Sequence, residues 1–454
     1  MNFIAIGLVF VLAVAAFIQA NKKPALFITF LLAAGTFRPE FTIGSGLNLS
    51  SLWLLYLITV CLLILITRKS GGISWKMPER LSLAFLLCCL ISLVWSGFGT
   101  TTPEQAMRLF LKLIYPFIVM LLAHKFVSSS QSFSTALKWM LLSSFIVSLF
   151  IGGLPYYFLP RFCYFFSQAT WAYAAFSDHS AIITTLALVL WKTKGGKWYL
   201  RLAFYFCIST ILLGNRTGIL ATGVGISVFV LLYYRRTLSV PALAGIYLLI
   251  MSALFLIPEM RNHMFFNPHE VNVHQLIVDP TSMNISNINS SGRFDMWGYL
   301  MDRFFYESPL LGAGPGTIQT FLYSPFNRFN VTHPHSVYVR LLCDVGLVGT
   351  VCYVMIFVSC ITGALCLRRR HPADHPASVC AGFVICAVPA MLVIMGFDSA
   401  LNCATAIAQY PFIFSGMMYG MAGLSHKAAP EYLPVNSLSR EVLKGITGNS
   451  RTVF

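Results

Sequence analysis

His335 closes a long polar interval and opens an apolar run, in the stretch His333-Pro-His335-Ser-Val-Tyr-Val-Arg-Leu-Leu-Cys-Asp-Val-Gly346-Leu-Val-Gly349-Thr350. Histidine is the side chain that ordinarily titrates near neutrality, so an imidazole at a wet membrane edge suits proton abstraction from a hydroxyl. The His333-Pro-His335 pair also raises metal binding. No carboxylate or further histidine stands at ligand spacing, and His263, His269 and His274 are scattered through a polar segment.

Two arginines fit the other half of such chemistry. Arg216, in Asn215-Arg216-Thr217-Gly218, sits between two apolar runs with almost no linker. It is either a snorkelling cation at a helix hairpin or a clamp for a lipid-linked phosphate at headgroup depth. Arg293 falls in the first turn of an expected helix, where free backbone donors favour an anion and the guanidinium adds a planar fork. Its alternative is a surface ion pair with Asp295 or Asp302. Asp178-His179, Asp398 and Arg161 are further outer-edge candidates, ranked lower because such groups are commonly solvated helix ends. The chain has no Asp-x-Asp pair, Gly-x-Ser-x-Gly elbow or Walker motif. That argues against metal-dependent nucleotide-sugar transfer, serine hydrolysis and ATP-driven transport.

The elements that must position these groups are membrane helices. The 454 residues are 57% hydrophobic and 10% charged, with a mean hydropathy of +0.74. Runs long enough to cross a bilayer recur from end to end. Candidate spans fall at 3–19, 24–37, 50–67, 81–97, 109–124, 136–154, 179–191, 198–214, 216–234, 239–257, 337–366, 378–397 and 405–424. The expectation is an all-α polytopic membrane protein of 12 to 13 transmembrane helices, forming one domain over 1–424 and followed by a polar cytoplasmic tail over 425–454. Residues 1–20 read as a retained first helix, since no cation precedes the apolar run.

The formal charge of +16 would suggest nucleic acid in a soluble protein. Here it is mostly topology. Short loops carrying Lys22-Lys23, Arg68-Lys69, Lys192 to Arg201, Arg235-Arg236 and Arg368-Arg369-Arg370 alternate with cation-poor loops, and the positive-inside rule makes them cytoplasmic. The same alternation places Pro155 to Asp178 and Pro258 to His335 outside, and the N-terminus outside if all thirteen segments cross. Most of the 12 cysteines lie in apolar runs; Cys163 and Cys403 share the outer side, with their pairing left open.

Within the 258–335 loop, Phe294, Trp297, Met301, Phe304 and Phe305 recur at helical spacing behind Ser291, an expected cap. The apolar face would lie on the membrane surface or roof a cavity. Pro309-Leu-Leu-Gly-Ala-Gly-Pro-Gly316 then reads as a tight turn, since no Gly-Lys-Ser or Gly-Lys-Thr makes it a phosphate loop. Gly346 and Gly349 are expected to let the following helix pack closely under the site.

His335-Ser336, nine residues, then Gly346-Leu-Val-Gly349-Thr350 resembles the signature of bacterial O-antigen ligases. The Arg216-Thr-Gly and Ser-Gly-Arg293 segments are similar to two further marks of that family, in the same order. The resemblance covers roughly 170–365 in detail. It implies a GT-C-like membrane glycosyltransferase without metal or other cofactor, with a large periplasmic loop carrying short helices. Such an enzyme moves a polysaccharide from undecaprenyl diphosphate to a hydroxyl of the lipid A core, with the active site facing the periplasm from the bacterial inner membrane. His335 would be the base and Arg216 and Arg293 the diphosphate clamp. Partners are the donor, the acceptor and membrane lipids, with no nucleic acid. O-antigen polymerases and protein O-oligosaccharyltransferases share the arginines and the histidine, and a transporter for a lipid-linked saccharide is the rival of another class. Where many members carry Glu or Gln before Gly-x-x-Gly, this chain has Asp344.

Overall fold

The computed structural model describes residues 23–34, 42–43, 47–67, 75–96, 101–127, 129–151, 158–159, 173–234, 236–256, 265, 290, 292–329, 331–398, 401 and 407–428. Helices α1 (Pro24–Ala34), α2 (Leu49–Thr67), α3 (Met77–Ser96), α4 (Pro103–Phe126), α5 (Ser130–Ile151), α6 (Tyr173–Lys194), α7 (Lys197–Leu212), α8 (Arg216–Tyr233) and α9 (Arg236–Leu256) come first. The interval between α9 and the next long helix holds α10 (Arg293–Leu300), a π-helical turn (Met301–Phe305) and α11 (Thr317–Leu322). Then follow α12 (Val337–Arg370), α13 (Pro376–Phe397) and α14 (Gln409–Ala428).

A helix thus occupies every candidate span except 3–19, which lies outside the described residues. Six of them (α3, α4, α5, α8, α12 and α13) are long and apolar enough to cross a membrane. The chain is a multi-pass, essentially all-helical membrane protein. One small departure is a two-residue antiparallel pairing, Thr42–Ile43 with Leu47–Asn48. The span placed at 405–424 is also shifted: its helix begins at Gln409 and runs to Ala428, so residues 425–428 belong to the helix rather than to the tail.

The helices end where the sequence supplies caps. Thr102 accepts from the Gln105 N–H at the start of α4, with Pro103 and Glu104 behind it and His124 and Lys125 in the last turn. Ser336 accepts from the Val339 N–H to start α12, which finishes on Arg368, Arg369 and Arg370. Inside the bilayer there is no water to satisfy hydroxyls, so they bond back along their own helices: Ser144 to the Met140 carbonyl at 2.7 Å, Thr184 to that of Ser180 at 2.8 Å.

Packing follows the small residues. α8 lies against α6 and α13, α12 against α3 and α13, and α14 against α4 and α13. At Gly218 the approach of α8 to α6 is so close that a Cβ would stand 2.1 Å from the Ser177 hydroxyl. This contact sets the outer end of α8 beside Asp178. A second, smaller core forms outside the main bundle, where Met296, Leu300 and Phe304 bury against Ile318, Phe321, Leu322 and Cys343. The apolar face of α10 and the π-helical turn therefore packs on α11 and α12.

Candidate functional site

The turn between α7 and α8 is only Leu213, Gly214 and Asn215, and Gly214 takes a left-handed φ of 69° that reverses the chain. Asn215 caps α8 by accepting from the Thr217 N–H at 3.2 Å, and its amide donates to Asp178 Oδ1 at 3.4 Å. Arg216, the first residue of α8, is thereby held half-buried at the helix N-terminus, where backbone donors also point outward.

Arg293 begins α10. The cap position is Gly292, with φ 71°, and no side chain caps it; Ser291, expected there, lies outside the described residues. The Arg293 guanidinium pairs with neither Asp295 nor Asp302. Instead Nη1 donates to the carbonyl of Phe397, the last residue of α13, at 2.7 Å. Burial pushes the Arg293 pKa down, while the carboxylates of Asp398 and Asp178 act in the opposite direction. Arg216 is near enough for the two guanidinium charges to repel. Two cations held together beside buried Asp178 and half-buried Asp398 make a place for a multiply charged anion.

His335 is the one non-glycine among the described residues with a left-handed backbone, at φ 52°. Trp297 Nε1 donates to the Pro334 carbonyl at 2.6 Å and ties this turn to α10. His335 is 33% exposed, yet its Nδ1 atom is buried without a hydrogen bond and faces Asp398 Oδ1 at 3.8 Å. Asp398 is the C-cap residue of α13. Asp178, only 1% exposed, is within hydrogen-bonding reach of Asp398 as well as of Asn215. The acids therefore link α6, the α8 turn and α13 beneath Arg216, Arg293 and His335. His333 points elsewhere, with Nδ1 3.4 Å from Gln319 Oε1.

Below His335 the Gly-x-x-Gly stretch does something other than thin a helix interface. Gly346 breaks α12 with φ 69° and ψ −173°. The turn Pro309 to Gly314 docks into this break through Ala313 N–H to Cys343 O at 2.8 Å, Gly314 N–H to Asp344 O at 3.0 Å, and Leu347 N–H to Pro309 O at 2.8 Å. Gly312 meets the same break, where a Cβ would stand 2.5 Å from the Gly346 nitrogen. The expectation of close helix packing at Gly346 is thus corrected: the residue is a socket for the upstream turn. Asp344 completes the joint. Its carboxylate accepts from the Gly316 and Ile318 N–H groups at 3.2 and 3.0 Å, capping α11, and lies 3.5 Å from Arg340 Nε.

The structure thus gathers Arg216, Arg293, His335 and Asp398 at one end of the bundle and adds Asp178. Sequence reasoning ranked Asp178 low because an acid at a helix mouth usually faces water; its one signal was adjacency to a fully apolar run. His179 turns inward, with Nε2 3.0 Å from the Ser144 hydroxyl and its ring against Phe176 and Tyr410. Arg161, Cys163 and Cys403 lie outside the described residues. No three His, Cys, Asp or Glu side chains come together as metal ligands among the described residues.

No curated protein matches the chain. The family model described as O-antigen ligase matches residues 201–354, about a third of the chain, from within α7 to the middle of α12. It encloses Arg216, Arg293, His335 and both glycines, and leaves Asp178 and Asp398 on flanking helices. Over the stretch that carries the two arginines and the strained histidine, the chain is thus similar to the O-antigen ligase family.

Proposed function

We propose that this chain is an O-antigen ligase, transferring a polysaccharide from undecaprenyl diphosphate to a hydroxyl of the lipid A core on the periplasmic side of the bacterial inner membrane. In this reading 12 to 13 helices cross in a GT-C-like arrangement, with the N-terminus outside if all thirteen cross. The observation that carries it is the convergence of two guanidiniums and a carboxylate-faced imidazole at one end of the bundle.

Arg216 and Arg293 hold the donor diphosphate. Asp398, facing Nδ1, favours the tautomer with its proton on that nitrogen and leaves Nε2 to accept. As the acceptor oxygen bonds to the anomeric carbon, its proton passes to His335 Nε2. The bond from that carbon to the diphosphate oxygen breaks, and its electron pair leaves with the diphosphate. Direct displacement inverts the anomeric centre. The two arginines stabilise the charge that grows on the leaving group, and the activated diphosphate linkage supplies the driving force without ATP. The 3.8 Å separation in the free protein is of the kind that tightens once substrate binds.

Purified protein, lipid-linked donor and acceptor lipid, with no ATP, test the reading: ligated product is expected. Deleting the gene should leave full-length polymer on the carrier lipid. Accumulation of single repeat units would instead assign a polymerase, and failure of any transfer with intact binding would assign a transporter.

A further inference from the structure

The outer roof carries two more arginines that the site does not use. Arg303, in the π-helical turn, donates from Nη1 to the Tyr299 hydroxyl at 3.1 Å and spreads over Phe304 and Phe321, 5.7 and 5.4 Å from their ring centres. Arg328 lies 4.3 Å over the ring of the same Tyr299 and 5.1 Å from that of Phe329. Tyr299 is braced by Phe321 and Phe329, with ring centres 5.7 and 5.5 Å away.

Both arginines are exposed, and neither forms an ion pair with a carboxylate among the described residues. Asp302 and Glu307, the acids nearest to Arg303 along the chain, are exposed and make no ion pair among the described residues either. Stacking engages the face of a guanidinium and leaves most of its edge N–H donors free. Two such edges on one aromatic platform are an uncompensated double fork, matched to phosphate or carboxylate. The π turn has a physical part in this: the extra residue per turn re-aims Arg303, a device frequent at functional positions.

The location narrows the ligand. Arg303 is ten residues beyond Arg293 on nearly continuous helix, about 15 Å at 1.5 Å per residue, too far to share the donor diphosphate. The platform shares its small core with Val331 and Trp297, and Trp297 holds the Pro334 carbonyl beside His335. A group bound there is therefore rigidly spaced from the base.

We propose that Arg303 and Arg328, mounted on Tyr299, form a second anion site that holds a phosphate or carboxylate on the acceptor saccharide while another of its hydroxyls meets His335. This rests on the reading of the chain as a saccharide transferase. The same chemistry could come from an anionic phospholipid headgroup, so the test separates the two.

Wild-type protein and the Arg303→Gln/Arg328→Gln variant, in nanodiscs of neutral lipid, are titrated with a phosphorylated oligosaccharide and with the same oligosaccharide after phosphatase treatment. The variant should bind the phosphorylated form about tenfold more weakly and the treated form as wild type does. Arg303→Lys/Arg328→Lys, which keeps charge and loses the forks, should fall between. Equal binding of both forms by the wild type, or equal loss of both by the variants, overturns the proposal. So does a difference that appears only when phosphatidylglycerol is added to the nanodiscs, which assigns the site to lipid. If the glutamine variant does not fold, the wild-type preference and the lysine variant still decide. No step of this test requires transfer, so a failed transferase reading and a failed anion site are told apart.

Discussion

At His335 the backbone is held in a conformation that a side chain disfavours, at φ 52°, while Nδ1 faces Asp398. Strain of this kind costs on the order of 1–3 kcal/mol and persists where surrounding structure over-determines it; here Trp297 and the Ser336 cap do so. His335→Ala should fold and lose transfer by about 10²- to 10⁴-fold, the usual worth of a general base, as measured by single-turnover ligation. Near-normal ligation would remove His335 from that role. Arg216→Lys keeps charge and loses the fork, so about a tenfold or larger drop in transfer is expected; full activity would reduce Arg216 to an electrostatic cation. Asp398→Asn should lower turnover while leaving donor binding unchanged, because the amide no longer fixes the imidazole tautomer, and a variant weakened only in donor binding would assign Asp398 to the arginines instead. His335, Arg216 and Arg293 were singled out by residue type and spacing. Asp178 and Asp398 stood out only as lower-ranked outer-edge groups, because burial of Asp178 arises from the closeness of α8 to α6 at Gly218, a tertiary contact.

The elements show the opposite balance. Twelve helices stand where apolar runs placed them, since in lipid a backbone has few ways to satisfy itself other than helix. The break at Gly346 was invisible, because its partner turn begins at Pro309 and nothing along the chain pairs the two. A glycine followed three residues later by another looks like a packing face, and Gly349 does stay helical, with a would-be Cβ 2.7 Å from the Val345 side chain. Gly346→Ala must place a Cβ 2.3 Å from the Leu310 carbonyl oxygen in a backbone region that only glycine populates readily. It should destabilise the protein by at least about 1–3 kcal/mol. Gly298→Ala, inside α10 with nothing within 4 Å of the new methyl, should instead be neutral or stabilising by up to about 1 kcal/mol. Thermal unfolding of the two variants side by side checks both signs, and equal midpoints would refute the socket. Asp344 belongs to the same joint: neutralising it leaves buried Arg340 without its ion-pair partner, a loss of about 3–5 kcal/mol for such pairs.

Across the whole molecule the site and the cation-rich loops lie at opposite ends of α12. From Gly346 to Arg368 the helix rises about 33 Å at 1.5 Å per residue, enough to cross a hydrocarbon core of about 30 Å. His335 and Arg303 sit before the break, and Arg368, Arg369 and Arg370 sit after the crossing. The guanidinium of Arg368 there stacks on Tyr233, at the far end of α8 from Arg216, at 4.1 Å. Two helices thus run from the candidate site to the basic end in concert. On the proposed reading α12 crosses between them, so the site occupies the face opposite the basic end, which the positive-inside rule assigns to the cytoplasm. The expected outcome follows for single cysteines placed at exposed positions in a background where exposed Cys366, and Cys163 and Cys403 of the expected outer loops, are serine. Phe326→Cys, at a position 81% exposed on the outer roof, should react with a membrane-impermeant maleimide in intact spheroplasts. Arg369→Cys should react only after the membrane is permeabilised. Labelling of both from outside would mean that α12 does not cross between Gly346 and Arg368, and a transferase that meets both of its lipid substrates from the periplasm could not be built on this bundle.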